Sequence, residues 1–124
     1  MFNKDLEVAH KLLSEYKNLE LTEPNETWPN DIIRALNYLN ENIFELDTTV
    51  KSMKENCRIS QQNFSSRFNN YVGISPIKYL SRHRIQAAIL ILRSNEINLS
   101  KAKIGFLVGY DKPSTFTKAF QRNK

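Results

Sequence analysis

The sequence predicts an all-α fold: two helix-turn-helix subdomains joined by a long central helix, with an extra N-terminal helix. Three observations carry this reading. Gly and Pro, the residues that interrupt helices, number only 3 and 4 among 124, and strand-like alternation is rare. Apolar residues recur three and four apart along most of the chain. One apolar pattern also occurs twice, as Met53, Cys57, Ile59, Phe64, Phe68 and then as Ile104, Val108, Tyr110, Phe116, Phe120. The first three pairs are offset by 51 residues and the last two by 52, which makes the second turn one residue longer. Each copy has the spacing of a helix, a sharp turn and a second helix closing on a small core.

The elements follow in order. Residues 4–20 carry Leu6, Ala9, Leu13, Tyr16 and Leu19 at helical spacing. Their apolar face needs a cover, either this domain or a second copy of the chain. Residues 21–29 hold two prolines and no period, so they read as a linker. Asn30 or Asp31 can cap a helix reaching about Asn42, with Ile32, Ile33, Leu36 and Leu39 inward. The first helix-turn-helix is expected at about 47–72. Asp47 or Thr48 starts its first helix, with Val50, Met53 and Cys57 on one face, and Ser60 caps its second. Phe64, Phe68 and Tyr71 face inward there, and Gly73 ends that helix.

Pro76 fits the first position of a linker helix over about 76–94, because its missing N–H would be unpaired there in any case. Such a helix spans roughly 28 Å at about 1.5 Å per residue. Successive major-groove faces of B-DNA lie about 34 Å apart, so it is a plausible spacer between two grooves. The second helix-turn-helix is expected at about 99–122. Leu99 or Ser100 begins a helix containing Ile104, Phe106, Leu107 and Val108, and Gly109-Tyr110-Asp111 form the turn. Asp111 caps the last helix, with Lys112-Pro113 at its start. Residues 1–29 thus form an N-terminal helix and linker, and residues 30–124 the two-unit domain.

Charge divides the chain. The net charge is +5, but residues 1–49 hold four Lys/Arg against ten Asp/Glu, a balance of −6. Residues 50–124 hold fourteen against three, a balance of +11. A basic part beside an acidic one points to a polyanionic partner for the second part alone. No apolar run approaches ~20 residues, which argues against a membrane span. The opening Met1-Phe2-Asn3-Lys4-Asp5 lacks the apolar stretch of a signal peptide. The single cysteine, Cys57, has no internal disulfide partner and suits the cytoplasm. His10 and His83 have no metal-ligand spacing, and neither a phosphate loop nor a nucleophile elbow is present. No catalytic residue, metal or cofactor is therefore expected.

Several stretches carry a specific likeness: Ile59-Ser60, Phe64, Arg67-Phe68, Gly73-Ile-Ser-Pro-Ile-Lys-Tyr-Leu80, Arg84-Ile85, Ala88, Leu92, Gly109-Tyr-Asp-Lys-Pro-Ser114, Phe116 and Phe120. On these residues, 32–122 resemble the DNA-binding domain of the AraC/XylS family. The resemblance implies a bacterial, sequence-specific DNA-binding regulator, often an activator, that binds double-stranded promoter DNA and touches RNA polymerase. It also implies that Arg84 ties the linker helix to neighbouring backbone.

Four positions depart from the family pattern. Lys54 stands where a small Ala is usual, Arg58 where Gly is frequent, Lys101 where an aliphatic residue is expected, and Gly105 where Ala is expected. The family also usually continues past the last Phe, whereas this chain ends at Phe120-Gln-Arg-Asn-Lys124. Residues 1–29 are too short for the sensory domain that many members carry.

The recognition helix of the first unit is placed at about 60–71. Opposite Phe64 and Phe68 it offers Gln61, Gln62, Ser65, Ser66 and Asn69. By analogy with the family, Gln62, Ser65 and Ser66 read base edges. Gln is suited to a bidentate pair with adenine, and Ser to any base. In the second unit, Ser114, Thr117 and Lys118 face outward, and Lys112, Gln121 and Arg122 are phosphate candidates. Arg67, Lys78, Arg82, His83 and Arg93 mix phosphate contacts with structural roles. A buried Lys101 and a mid-helix Gly105 would weaken the second unit, leaving base discrimination mostly to the first. The four departures leave room for a rival reading, a protein-interaction module that has lost tight DNA binding and acts on a regulator or on RNA polymerase. A homodimer through the N-terminal helix is the further partner considered.

Overall fold

A computed structural model describes residues 3–123; Met1, Phe2 and Lys124, at the ends of the two segments expected from sequence, lie outside them. The described residues are all helix, turn and coil. The helices are α1 (Lys4–Glu20), α2 (Asn30–Glu41), α3 (Val50–Asn56), α4 (Phe64–Val72), α5 (Pro76–Leu92), α6 (Lys101–Leu107) and α7 (Pro113–Asn123). None is long and apolar enough to cross a membrane.

Helix α1 has the expected bounds. Asn3 caps it, its side-chain oxygen accepting from the Asp5 and Leu6 amides. Ala9, Leu13 and Tyr16 are buried, but Leu19 is 79% exposed and takes no part in the core. Helix α2 is not capped by Asn30 or Asp31. Pro29 precedes it, and the Asp31 carboxylate is turned to Arg67 instead. Helix α3 starts later than Asp47 or Thr48 suggest. Thr49 is its N-cap because Ser52 lies three residues on, and the two hydroxyls close a reciprocal capping box.

The duplicated pattern is matched by duplicated backbone geometry. The Ile59 amide donates to the Lys54 carbonyl (2.9 Å) and the Arg58 amide to Glu55 (3.3 Å). Fifty-one residues later, the Tyr110 amide donates to Gly105 (2.8 Å) and the Gly109 amide to Phe106 (3.2 Å). Both are Schellman closures, with the residue after the cap in the left-handed region: Arg58 at φ 57° and Gly109 at φ 116°. Among the described residues, the place where the family often has Gly is the one place where a side chain is held in this strained region.

Helix α4 begins at Phe64, so Ser60 is not its cap and Gln61 and Gln62 lie in the connection before it. The Phe64 amide reaches back to the Gln61 carbonyl, forming a tight turn where the sequence suggested helix. Connection 57–63 is therefore longer than connection 108–112, the reverse of the expected order. The cause lies at α7, where Pro113 starts the helix three residues ahead of Phe116. The same start, two residues past Asp111, takes the capping position away from that residue. Tyr71 does not enter the core: it is 43% exposed and packs on Trp28, ring centroids 6.3 Å apart. Ser100 caps α6, accepting from the Lys103 amide.

Two cores result, one on each half of α5. Ile32, Leu36, Leu39, Ile43, Met53, Cys57, Phe64, Phe68, Tyr79 and Leu80 close the first, beneath α2, α3 and α4. Ile85, Ala88, Ile91, Ile104, Val108, Phe116 and Ala119 close the second, together with Ala9, Leu13 and Tyr16 of α1. The apolar face of α1 is thus covered by its own chain. On α6, Gly105 is buried and Phe106 is 47% exposed, while Lys101 is exposed. The expected penalty of a buried Lys101 does not arise.

Candidate nucleic-acid interface

The two second helices, α4 and α7, are set by what holds α5. Arg84, in the middle of α5, is almost fully buried. Its Nε donates to the Ile43 carbonyl (2.7 Å), and its Nη2 donates to the carbonyls of Glu45 and Thr48 (both 2.9 Å). All three acceptors belong to the chain running from α2 into α3, and the Glu45 carbonyl also accepts from the Thr48 amide (3.2 Å). The Tyr110 ring lies 5.5 Å from the same guanidinium. Gly109 approaches so closely that a Cβ there would stand 2.7 Å from it. One side chain therefore ties the first unit to the turn of the second. Burial lowers the Arg84 pKa, with the Tyr110 side chain opposing that shift.

On the first unit, Ser66 and Asn69 are exposed on α4, Ser65 is half-buried, and Gln61 and Gln62 are exposed on the preceding turn. Gln61 is not free. Arg67 Nη1 donates to Gln61 Oε1 (2.7 Å) and to Asp31 Oδ2 (2.5 Å), while Nη2 donates to Asp31 Oδ1 (3.2 Å). The hydrogen bond from Arg67 holds the Asp31 carboxyl below its usual range, against the opposing effect of burial. Asp31, read from sequence only as a cap, thus anchors α4 to α2. Thirty-six residues separate the pair, so no local pattern announces it.

On the second unit, Lys112, Ser114, Thr117, Lys118, Gln121 and Arg122 are all exposed on α7 or at its start. The Thr117 hydroxyl donates back to the Pro113 carbonyl (3.0 Å), which leaves its oxygen as an acceptor outward. A groove of about 670 Å³ runs between the units, and Lys78 and Arg82 of α5 line it together with Arg122 of α7. Sequence reading treated these three cations separately; only the fold gathers them.

His83 faces away from that groove. Its Nδ1 lies 2.7 Å from the Tyr16 hydroxyl, which donates to Gln86 Oε1 (2.9 Å). Burial, assisted by the Arg82 charge, lowers the His83 pKa to about 4, so the ring is neutral at pH 7. It joins α1 to α5 and is not a phosphate ligand. Cys57 is buried among apolar side chains, which pushes its thiol pKa up. No group of His, Cys, Asp and Glu among the described residues could hold a metal ion.

A helix-turn-helix domain family model matches residues 55–124. The chain is 32% identical over 74 residues to the HTH-type transcriptional regulator AlkR of Acinetobacter baylyi. It is 36% identical over 74 residues to a Streptomyces lividans protein named as an AraC-like transcription regulator. Each of these alignments covers 60% of this chain and 24% of the relative. Over 122 residues it is 22% identical to histidine kinase P4 of Formosa agariphila, covering 94% of this chain and 9% of that protein. The chain thus spans a quarter or less of the length of these relatives. No solved structure matches it. Two helix-turn-helix units on one connecting helix, with a family match that runs from the end of α3 through the whole second unit, place this chain in the AraC/XylS family.

Proposed function

We propose that this chain binds duplex DNA sequence-specifically and regulates transcription, presenting the turn and α4 of one unit and α7 of the other to neighbouring major grooves. The observation that carries the reading is the repeated Schellman turn, with each copy followed by a helix whose outer face is polar and exposed. Arg84 fixes the two copies relative to each other, so one chain meets two groove segments about one helical turn apart. Gln62, Ser66 and Asn69 are the candidate base readers of the first unit. Lys112, Lys118, Arg122 and the groove cations Lys78 and Arg82 are candidates for phosphate. Contact with RNA polymerase, and activation in preference to repression, belong to the same proposal.

Two of the four departures that motivate the rival reading as a protein-interaction module are accommodated by the fold, since Lys101 is exposed and the space at Gly105 is filled by a neighbouring ring; Lys54 and Arg58 still depart from the family pattern. A homodimer through α1 would have to displace α5 from its apolar face, so we take a single chain as the binding unit. The alignment to a histidine kinase over 94% of the chain supports treating α1 as part of this module.

The test is binding to a duplex selected from a random pool, measured across salt concentrations and followed by footprinting. With about 4–6 phosphates neutralised, log affinity should fall against log salt with a slope of roughly −4 to −5. Two protected segments about 10 base pairs apart should appear. A slope near zero would sink the reading.

A further inference from the structure

We propose that Asp31 and Arg67 orient Gln61 so that it turns its amide donors toward DNA, making the turn before α4 a reader of acceptor-bearing base edges. This rests on the DNA-binding reading above. The family analogy places base contacts at Gln62, Ser65 and Ser66 and does not assign one to Gln61.

The geometry is specific. A guanidinium has donors and no acceptor, so the Gln61 carboxamide must turn its oxygen toward Arg67. That removes the ambiguity between the two ends of an amide. Arg67 cannot swing away, because Asp31 grips both of its terminal nitrogens. Both partners are largely shielded, with side-chain exposures of 26% and 21%, whereas Gln61 itself is exposed. The ion pair therefore acts as a positioning device, and the exposed amide is what it positions.

A free glutamine reads adenine by accepting from N6 while donating to N7. With one lone pair of its oxygen taken by Arg67 and that end of the amide turned toward the guanidinium, Gln61 is poorly placed to make the accepting half of that pair. Its Nε2 hydrogens remain, and they match guanine N7 and O6, adenine N7 or thymine O4. Cytosine, which presents only a donor in the major groove, is the base it rejects. The Asp31 charge also keeps Arg67 from acting as a phosphate ligand, so Arg67 adds orientation and not general affinity.

The experiment compares wild type, Gln61→Glu and Arg67→Met on the selected duplex and on all single-base variants of it, with thermal unfolding of each protein alongside. Gln61→Glu keeps the acceptor that Arg67 needs and removes the donors. It should unfold like wild type, bind the selected site about tenfold or more weakly, and lose its preference at one base pair. Arg67→Met frees the Gln61 oxygen and should admit a wider choice of bases at that same pair. An even loss across all sequences in Gln61→Glu, as from a phosphate contact or from added charge alone, would overturn the proposal. So would an unchanged preference in Gln61→Glu, while the DNA-binding reading would stand. Failure of the wild-type chain to bind any selected duplex would instead overturn that reading. If Arg67→Met does not fold, the Gln61→Glu profile decides alone.

Discussion

A methyl group added at position 105 would stand 2.7 Å from two ring carbons of Phe116, with the Phe116 Cβ behind them at 3.1 Å. Intrinsic propensity favours Ala over Gly inside a helix by up to about 1 kcal/mol. Overpacking of a close core contact costs about 1–3 kcal/mol. Gly105→Ala should therefore lower stability, read as a smaller midpoint in urea unfolding; a rise would show that the ring gives way easily. His83 makes a second prediction. The unfolded chain takes up a proton near the ordinary pKa of 6.5, and the folded chain only near 4. Between those values the unfolded state binds more protons, so stability is full above about pH 6.5 and falls as the pH drops to 4. The loss is on the order of 3 kcal/mol. Denaturant unfolding across that window should show the fall in wild type and a flatter profile in His83→Gln.

Among the elements, α1 lies furthest in sequence from what it serves. Its buried residues complete the core built by α5, α6 and α7. Tyr16→Phe keeps the ring but strips the hydroxyl from His83 and from the exposed Gln86, leaving the buried His83 Nδ1 without a partner. The cost should be about 1–3 kcal/mol, with DNA affinity of the folded chain unchanged; a fall in affinity at full folding would mean that α1 acts on the interface. The helices were largely legible from sequence because their signals are local: the period of α1, Ser100 before α6, and Pro76 and Gly73 around the linker. The start of α4 was not, because Ser60 looks like a cap while a distant ion pair holds residues 61–63 in a turn. Nor was the outward placement of Tyr71, which depends on Trp28 coming across from the linker. Of the candidate site residues on helices, the exposure of Ser66, Asn69, Ser114, Thr117, Lys118, Gln121 and Arg122 could be read from helical phase, but not the placing of Gln61 and Gln62 in a turn or the engagement of Gln61 by Arg67.

For the molecule as a whole, spacing between the two units depends on Arg84. Arg84→Lys keeps the charge but lacks the planar fork that reaches three carbonyls from two nitrogens. At least one charged hydrogen bond should be lost, about 1.5–3 kcal/mol. Selection from a random pool should then return half-sites of less uniform separation; an unaltered, sharply defined separation would show that packing alone sets the distance. The position of α1 has a further consequence, for the order of assembly. Tyr16 meets His83 across 67 residues of chain. On a ribosome, α1 emerges long before α5 and longer still before Phe116. The first unit, whose core draws on residues 32–80, can close while the rest is being made. The second cannot be finished until α1 folds back onto α5. Until then α1 is an amphipathic segment in search of a surface, and a stalled or shortened chain should expose it to proteolysis while its first unit resists.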